Sequence, residues 1–271
     1  MTLAPRCQRD EPVRVCEVSE TSVSGVAVII PAFNEQDRIA ATVRAASGLP
    51  GADMVIVVDD GSTDRTSAVA SEAGATVVGH ARNRGKAAAM ETGATAVTAV
   101  EGSETRQERL SAPRALLFID ADLEDSASRV APLIEPVVSG AADMTIAVLP
   151  PQRSAGGGRG LVVDLARNGI ERATGWTPRQ PLSGQRCLTR DAFAAALPLA
   201  PGWGVETGLS IDLLRQGYRV LEVDVDLHHR VTGTDWRAQL HRARQYAGVM
   251  RALGTRGVRP SLPAGLRRGN R

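Results

Sequence analysis

Residues 54–64, MVIVVDDGSTD, decide the fold. An apolar run rich in β-branched residues (54–58) and lacking polar alternation marks a strand covered on both faces, as in a parallel sheet. The polar turn after it, Asp59-Asp60-Gly61-Ser62-Thr63-Asp64, leads into a helix expected over 65–73. The pattern recurs upstream, where 26–30 (VAVII) reads as a strand ended by Pro31, followed by a helix over 35–47 with Ile39, Val43 and Ala46 on one face. It recurs downstream, where 115–119 (ALLFI) empties into Asp120-Ala121-Asp122. Between them lie a short strand at 76–78, an alanine-rich helix over 86–100 and a charged loop at 101–113. This alternation specifies an α/β domain with a mostly parallel, Rossmann-like sheet flanked by helices. In such sheets ligands bind beyond the carboxyl ends of the strands, so the polar turns after Ile30, Val58 and Ile119 are expected to converge on one site.

The second half is less regular. Residues 144–148 read as a strand, 150–160 (PPQRSAGGGRG) as a Pro/Gly loop, 161–173 as a helix and 184–188 as extended. A helix over 206–216 turns Leu209, Leu213 and Leu214 inward; a strand at 218–225 precedes His228-His229-Arg230, and 235–253 forms a basic helix. The polar, aperiodic residues 1–24 are expected to be a disordered arm, 25–253 one domain, and 254–271 a basic disordered tail.

Composition narrows the function. Lys and Arg total 32 against 30 Asp and Glu, a net charge of +2, which argues against a general nucleic-acid or membrane-surface binder. The cysteines Cys7, Cys16 and Cys187 are too scattered for a disulfide framework or a C-x-x-C metal cluster. The N-terminus lacks an apolar leader and no later stretch approaches the roughly 18 apolar residues of a membrane span, so a cytoplasmic protein is expected. A homodimer is compatible with this composition.

The chemistry sits in the turns. Asp120 and Asp122, two carboxylates at i and i+2 after a buried strand, can share one hard divalent cation, Mg²⁺ or Mn²⁺, and leave positions for phosphate oxygens; the plainer account is a solvated turn. Asp59 and Asp60 end another strand, where a carboxylate could accept the imide N–H of a pyrimidine; helix capping by Ser62, Thr63 or Asp64 is the plainer account. Pro31-Ala32-Phe33-Asn34-Glu35 offers a rigid turn, an aromatic surface and a carboxylate on which a base and ribose could rest. Arg82-Asn83-Arg84-Gly85-Lys86 sets cations around a glycine ahead of a helix, which suits a diphosphate. It is no P-loop, and no G-x-G-x-x-G follows the first strand, so ATP hydrolysis and NAD-dependent redox chemistry lose ground.

Taken in order, PAFNE, VVDDGSTD, RGKAAAM and FIDAD resemble the family 2 glycosyltransferases of the GT-A fold, over about residues 25–123. The resemblance implies a nucleotide-sugar donor, UDP- or GDP-linked. Pro31, Ala32, Phe33, Glu35 and Asp60 would hold its nucleoside, Lys86 the donor, and Asp120, Ala121 and Asp122 its ribose and metal-bound diphosphate. Further on, GGGRGLVVDLAR, PLSGQRCL, GWGVETGL and DLHHR resemble glucosyl-3-phosphoglycerate synthases. That likeness implies a phosphorylated acceptor gripped by Gly158 and Arg159, a sugar contact from Glu206, and a metal set of Asp122 and His229 with help from Asp120; His228 is the alternative histidine. UDP-glucose is the donor it favours. Two segments depart from the pattern: Gly160-Leu161 stand where the family has V-T, and Val231 stands where it has Asn.

The implied reaction is metal-assisted departure of a nucleoside diphosphate, with Asp122 and Glu206 as the catalytic candidates, Glu206 serving as base if the acceptor is a hydroxyl. Arg153, Arg159 and Arg167 beside the glycine loop, with Arg230 and Arg237 after His229, favour an anionic acceptor. Glu206 as a helix cap, and Trp203 and Trp236 as packing residues, are the plainer accounts. A lipid-phosphate acceptor, as in polyprenyl-phosphate sugar transferases, stays open. A nucleotidyltransferase and a non-catalytic nucleotide-sugar sensor are the competing classes.

Overall fold

The computed structural model describes residues 23, 25–104, 112–150, 159–227 and 236–259. The elements run β1 (Val26–Ala32), α1 (Ile39–Ser47), β2 (Ala52–Asp59), α2 (Thr66–Glu72), β3 (Thr76–Gly79), α3 (Lys86–Ser103) and β4 (Ala115–Phe118). A 3-10 segment (Glu124–Leu133), α4 (Glu135–Val138), β5 (Met144–Val148), α5 (Arg159–Thr174), β6 (Arg186–Leu188) and α6 (Arg190–Ala195) follow. A 3-10 turn (Gly202–Gly204), α7 (Val205–Arg215), β7 (Val220–Asp224) and α8 (Trp236–Thr255) complete the elements of the described residues.

The described strands form one seven-stranded sheet, in the order β3-β2-β1-β4-β6-β5-β7. Only β6 runs against its neighbours, antiparallel to β4 and β5, so the mostly parallel sheet expected from the alternation is borne out. The unbroken apolar runs have the predicted cause. Along β1, Val28 and Ile30 pack into a cluster with Ile39 and Val43 of α1, while Ala27 and Ile29 pack on the other face with Ala89, Met90 and Val97 of α3. Both faces are covered, so every position along the strand must be apolar. A third cluster joins Val162, Leu165 and Ile170 of α5 to Ile211 of α7 and Val249 and Leu253 of α8.

Pro31 does not end β1, contrary to expectation; the strand runs through it, pairing Pro31 with Val58 and Ala32 with Asp59. Ile29 faces β4, since its carbonyl accepts from Ile119, and Pro31, two residues on, faces the same way. There β4 has already stopped, its last partner being Phe118 opposite Ile29, so the N–H that proline lacks has no ladder bond to make. The tail expected from Gly254 also starts too early, because α8 passes through that residue to Thr255, Arg256 forms an ion pair with Asp212, and Val258 is buried.

Helix α3 lies against the sheet at Gly93, where an added Cβ would come 2.4 Å from Ile29 Cγ2 and 3.2 Å from Val58 Cγ2. Alanine gains about 1 kcal/mol of helix propensity over glycine, whereas overpacking a tight core costs about 1–3 kcal/mol. Ile29 is fully buried in a central strand and cannot retreat. Gly93→Ala is therefore expected to destabilise by about 1–2 kcal/mol, read as a lower urea midpoint with an unchanged slope.

Candidate active site

The turns after β1 and β2 are stitched to each other. Asn34, in the left-handed region at φ 56°, donates its N–H to Ser62 Oγ at 2.9 Å, and its Oδ1 accepts from the Thr63 N–H at 2.8 Å. Gln36 N–H donates to Asp64 Oδ2 at 3.2 Å while Gln36 Oε1 accepts from Arg65 N–H at 3.0 Å, and Glu35 N–H donates to Thr66 Oγ1 at 2.8 Å. Helix capping, the plainer account of these residues, holds for Asp64, whose Oδ1 accepts the Thr66 N–H at 2.9 Å at the start of α2, whereas Ser62 and Thr63 bond to Asn34 instead. These polar groups hold two loops in one rigid plate that presents Pro31, Ala32 and the exposed Phe33.

The two aspartates ending β2 divide the work. Asp59 closes its own turn, accepting from Ser62 N–H at 2.8 Å and from the Ser67 hydroxyl. Asp60 reaches across to the loop before α3, accepting Arg84 N–H at 2.8 Å on Oδ1 and Gly85 N–H at 2.7 Å on Oδ2, with His80 Nδ1 also on Oδ1 at 2.7 Å. Gly61 lets that loop come close: at φ 79°, its absent Cβ would lie 2.5 Å from the Arg82 carbonyl carbon.

At the other strand end, Lys86 Nζ sits between Asp120 Oδ1 at 2.7 Å and Glu206 Oε1 at 3.1 Å. Burial by itself disfavours the ammonium, but the charges of Asp120 and Glu206 and the hydrogen bonds they accept outweigh it and raise Lys86 above the ordinary lysine range. Gln185 Nε2 donates to Asp120 Oδ2 at 2.6 Å, so both oxygens of Asp120 are engaged. The Asp-Ala-Asp pair is therefore asymmetric: Asp122 is exposed and has no hydrogen bond or ion pair among the described residues. It lies near enough to Glu35 for its charge to be felt there. The Glu35 carboxyl is raised by burial, against the charge and hydrogen bond of Arg38, with the charges of Asp122 and Asp64 adding to the rise.

The floor under this cluster is the turn before β6. Arg186, fully buried and pushed down to about 10 by burial, donates Nε to Ser183 O at 2.9 Å, Nη2 to Pro181 O at 3.2 Å and Nη1 to Ser210 Oγ of α7 at 3.0 Å. Those bonds shape the turn so that Gly184 lies directly beneath Lys86 and Asp120.

All of this opens into one cleft of about 720 Å³, within the range of small-ligand sites. Pro31, Ala32, Phe33, Glu35, Asp60, Lys86, Asp120, Ala121, Asp122 and Glu206 all line it, so the convergence of the three turns is borne out. Glu206 is not an N-cap: it is buried in the first turn of α7 with its carboxylate on Lys86. Trp203 is only partly a packing residue: its Cβ abuts Gly248 of α8, while the residue is 40% exposed and lines the cleft with Val162, Leu182 and Gln245. Sequence reasoning passed over Gln185, Arg186, His80 and Gln245, which only the fold brings to the turns.

The acceptor side is different. Gly158, Arg153, His228, His229 and Arg230 lie outside the described residues, as do the side chains of Arg159, Trp236 and Arg237. Arg167, read as an acceptor-facing cation, instead binds Pro178 O, Arg179 O and Asp164. Among the described residues no cluster of three His, Cys, Asp or Glu side chains is set for a metal, and no helix is long and apolar enough to cross a membrane.

The sequence profile described as glycosyl transferase family 2 matches residues 27–183. Among curated proteins, the chain is 32% identical over 206 residues to a glucosyl-3-phosphoglycerate synthase of Mycolicibacterium smegmatis, covering 69% of this chain and 63% of that protein. It is 29% identical over 217 residues to the glycosyltransferase AglJ of Haloferax volcanii, covering 78% and 65%. The chain thus spans less than two thirds of either relative. Among solved structures, glucosyl-3-phosphoglycerate synthase from Mycobacterium tuberculosis in complex with phosphoglyceric acid superposes with TM-score 0.65 at 27% identity, over 85% of this chain and 80% of that one. The same enzyme with Mn²⁺, uridine-diphosphate-glucose and phosphoglyceric acid gives TM-score 0.63 at 26% identity and the same coverage.

Proposed function

This chain belongs to glycosyl transferase family 2, and on that premise we propose that it moves a hexosyl group from a uridine diphosphate sugar to an anionic acceptor. UDP-glucose and phosphoglycerate, the ligands named for the similar solved enzyme, are the pair to try first. The observation that carries the reading is that a nucleoside-sized plate (Pro31, Ala32, Phe33, Asp60) and a charged cluster (Lys86, Asp120, Asp122, Glu206) share a cleft.

The bond that breaks joins the anomeric carbon to the diphosphate, and the bond that forms joins that carbon to an acceptor oxygen. Asp60 can accept an imide N–H, and the N-terminus of α3, beginning at Lys86, faces the cleft where a diphosphate benefits from unpaired backbone N–H groups. Asp122, without a partner among the described residues and made of hard oxygen donors, fits a divalent cation, with His229 as the second protein ligand the resemblance implies. When bound, that cation offsets the charge growing on the departing diphosphate. Glu206 balances Lys86, so its remaining lone pairs suit a sugar hydroxyl; use as a general base would require it to release the ammonium. An acceptor phosphate or carboxylate oxygen needs no base.

Incubation with UDP-glucose, GDP-glucose or GDP-mannose, with and without Mn²⁺, against 3-phosphoglycerate or a polyprenyl phosphate, with products read by mass spectrometry, tests this. Metal-dependent transfer from UDP-glucose to phosphoglycerate is expected. Preference for a GDP-sugar overturns the donor reading, and preference for the lipid phosphate overturns the acceptor reading.

A further inference from the structure

We propose that His80 is a positioning residue that makes Asp60 a single-acceptor reader of the nucleobase, and so sets the choice of uracil over guanine and cytosine. This rests on the uridine-donor reading above. His80 follows β3, its N–H donating to the Asp59 carbonyl at 2.8 Å, which directs its ring under Asp60. The side chain is 6% exposed, as is that of Asp60. Nδ1 lies 2.7 Å from Asp60 Oδ1 and Nε2 lies 2.9 Å from Thr92 Oγ1 on α3. A carboxylate only accepts, so Nδ1 carries the hydrogen and the ring donates to Oδ1, with Thr92 securing its far side.

An ionised carboxylate offers about four acceptor positions. His80 and the Arg84 N–H fill those of Oδ1, and the Gly85 N–H fills one on Oδ2. One remains on a group that lines the cleft. Guanine presents two adjacent N–H groups that a carboxylate holds best with both oxygens, and here Oδ1 is closed. Cytosine turns a lone pair toward an acceptor where uracil turns its imide N–H. Of these three bases, uracil, with its lone imide N–H, is the best match to a single open acceptor. No other described side chain donates to Asp60, so His80 is the one adjustable member of the set.

The test is calorimetric titration of UDP, CDP and GDP, each with Mg²⁺, into the wild type and into His80→Leu, His80→Asn and Thr92→Val. The wild type is expected to prefer UDP. His80→Leu should lose about ten- to a hundredfold of UDP affinity, the scale of a hydrogen bond to a charged group, while CDP and GDP change far less and the preference narrows. His80→Asn, whose amide can donate to the same Oδ1, should recover most of the preference, and Thr92→Val should narrow it partially. Equal losses for all three nucleotides in His80→Leu, or His80→Asn falling as far as His80→Leu, would overturn the proposal. If His80→Leu does not fold, Thr92→Val decides, and an unmoved preference there is fatal. A wild type that does not prefer UDP overturns the uridine reading and this inference together, whereas a wild-type preference that no variant moves overturns the inference alone.

Discussion

Asp122→Asn is expected to lower turnover about a thousandfold while leaving the melting temperature where it is. The two halves of that expectation have separate causes. Asp122 is exposed and makes no bond among the described residues, so the amide removes nothing that holds the fold. An exposed substitution of this kind ordinarily moves stability by less than about 0.5 kcal/mol. The proposed metal contact is another matter, because charge on a leaving diphosphate is stabilised by several kcal/mol when a divalent cation is in place, and each 1.36 kcal/mol is about tenfold in rate. Donor consumption measured across Mg²⁺ and Mn²⁺ concentrations, beside a thermal melt, checks both halves. Activity near that of the wild type at every metal concentration would remove Asp122 from the metal site. A large drop in melting temperature would mean that the carboxylate has a structural role its exposure conceals.

The second large effect is expected from one methyl group at Gly184. A Cβ there would lie 2.4 Å from Lys86 Nζ and 2.9 and 3.0 Å from the two oxygens of Asp120. The ammonium cannot stay between Asp120 and Glu206 with an apolar carbon at that distance. It must move, breaking charge-assisted bonds worth about 1.5–3 kcal/mol each. Misplacing a site group by an ångström can cost about a hundredfold, so Gly184→Ala is expected to lower kcat/KM by at least about that factor. Gly184 has no left-handed φ to protect, hence the backbone tolerates alanine and the loss should come without unfolding. Steady-state kinetics with UDP-glucose, alongside a circular dichroism melt, separates the cases: wild-type kcat/KM would show that the Lys86 cluster does not matter to transfer.

What the sequence made legible was the set of strand ends, and what it hid was the company each residue keeps there. Apolar runs such as 26–30 and 115–119 announce strands covered on both faces because burial of both faces leaves no polar position. Once the strands are parallel, their carboxyl ends and following turns must meet, which is why nine of the ten chosen residues line one cleft, the tenth, Glu206, reaching it from α7. Partner choice within the cleft is a matter of ångströms between residues far apart in the chain. Asp59 and Asp60 are neighbours, yet one closes a local turn and the other grips a loop beyond β3. Asp120 and Asp122 look equivalent, yet only the first is engaged by Lys86 and Gln185. No periodicity encodes such differences. Arg186 and Gln185 were hidden for a related reason, since a segment read as extended says nothing about which side chain turns under the site. Pro31 misled because proline's missing N–H matters only where a neighbouring strand is present to receive it.

The mutual stitching of Asn34 and Gln36 to Ser62, Thr63, Asp64 and Arg65 bears on how such enzymes can be recombined. The two turns behave as one cassette although α1 and most of β2 separate them in the chain. A chimera that takes the first turn from one homologue and the second from another, with side chains that do not match, leaves donors and acceptors orphaned on both sides of the crossover. Swapping both turns as a matched set transplants the plate whole, so crossovers placed before β1 and after α2 preserve it, and a crossover within α1 divides it.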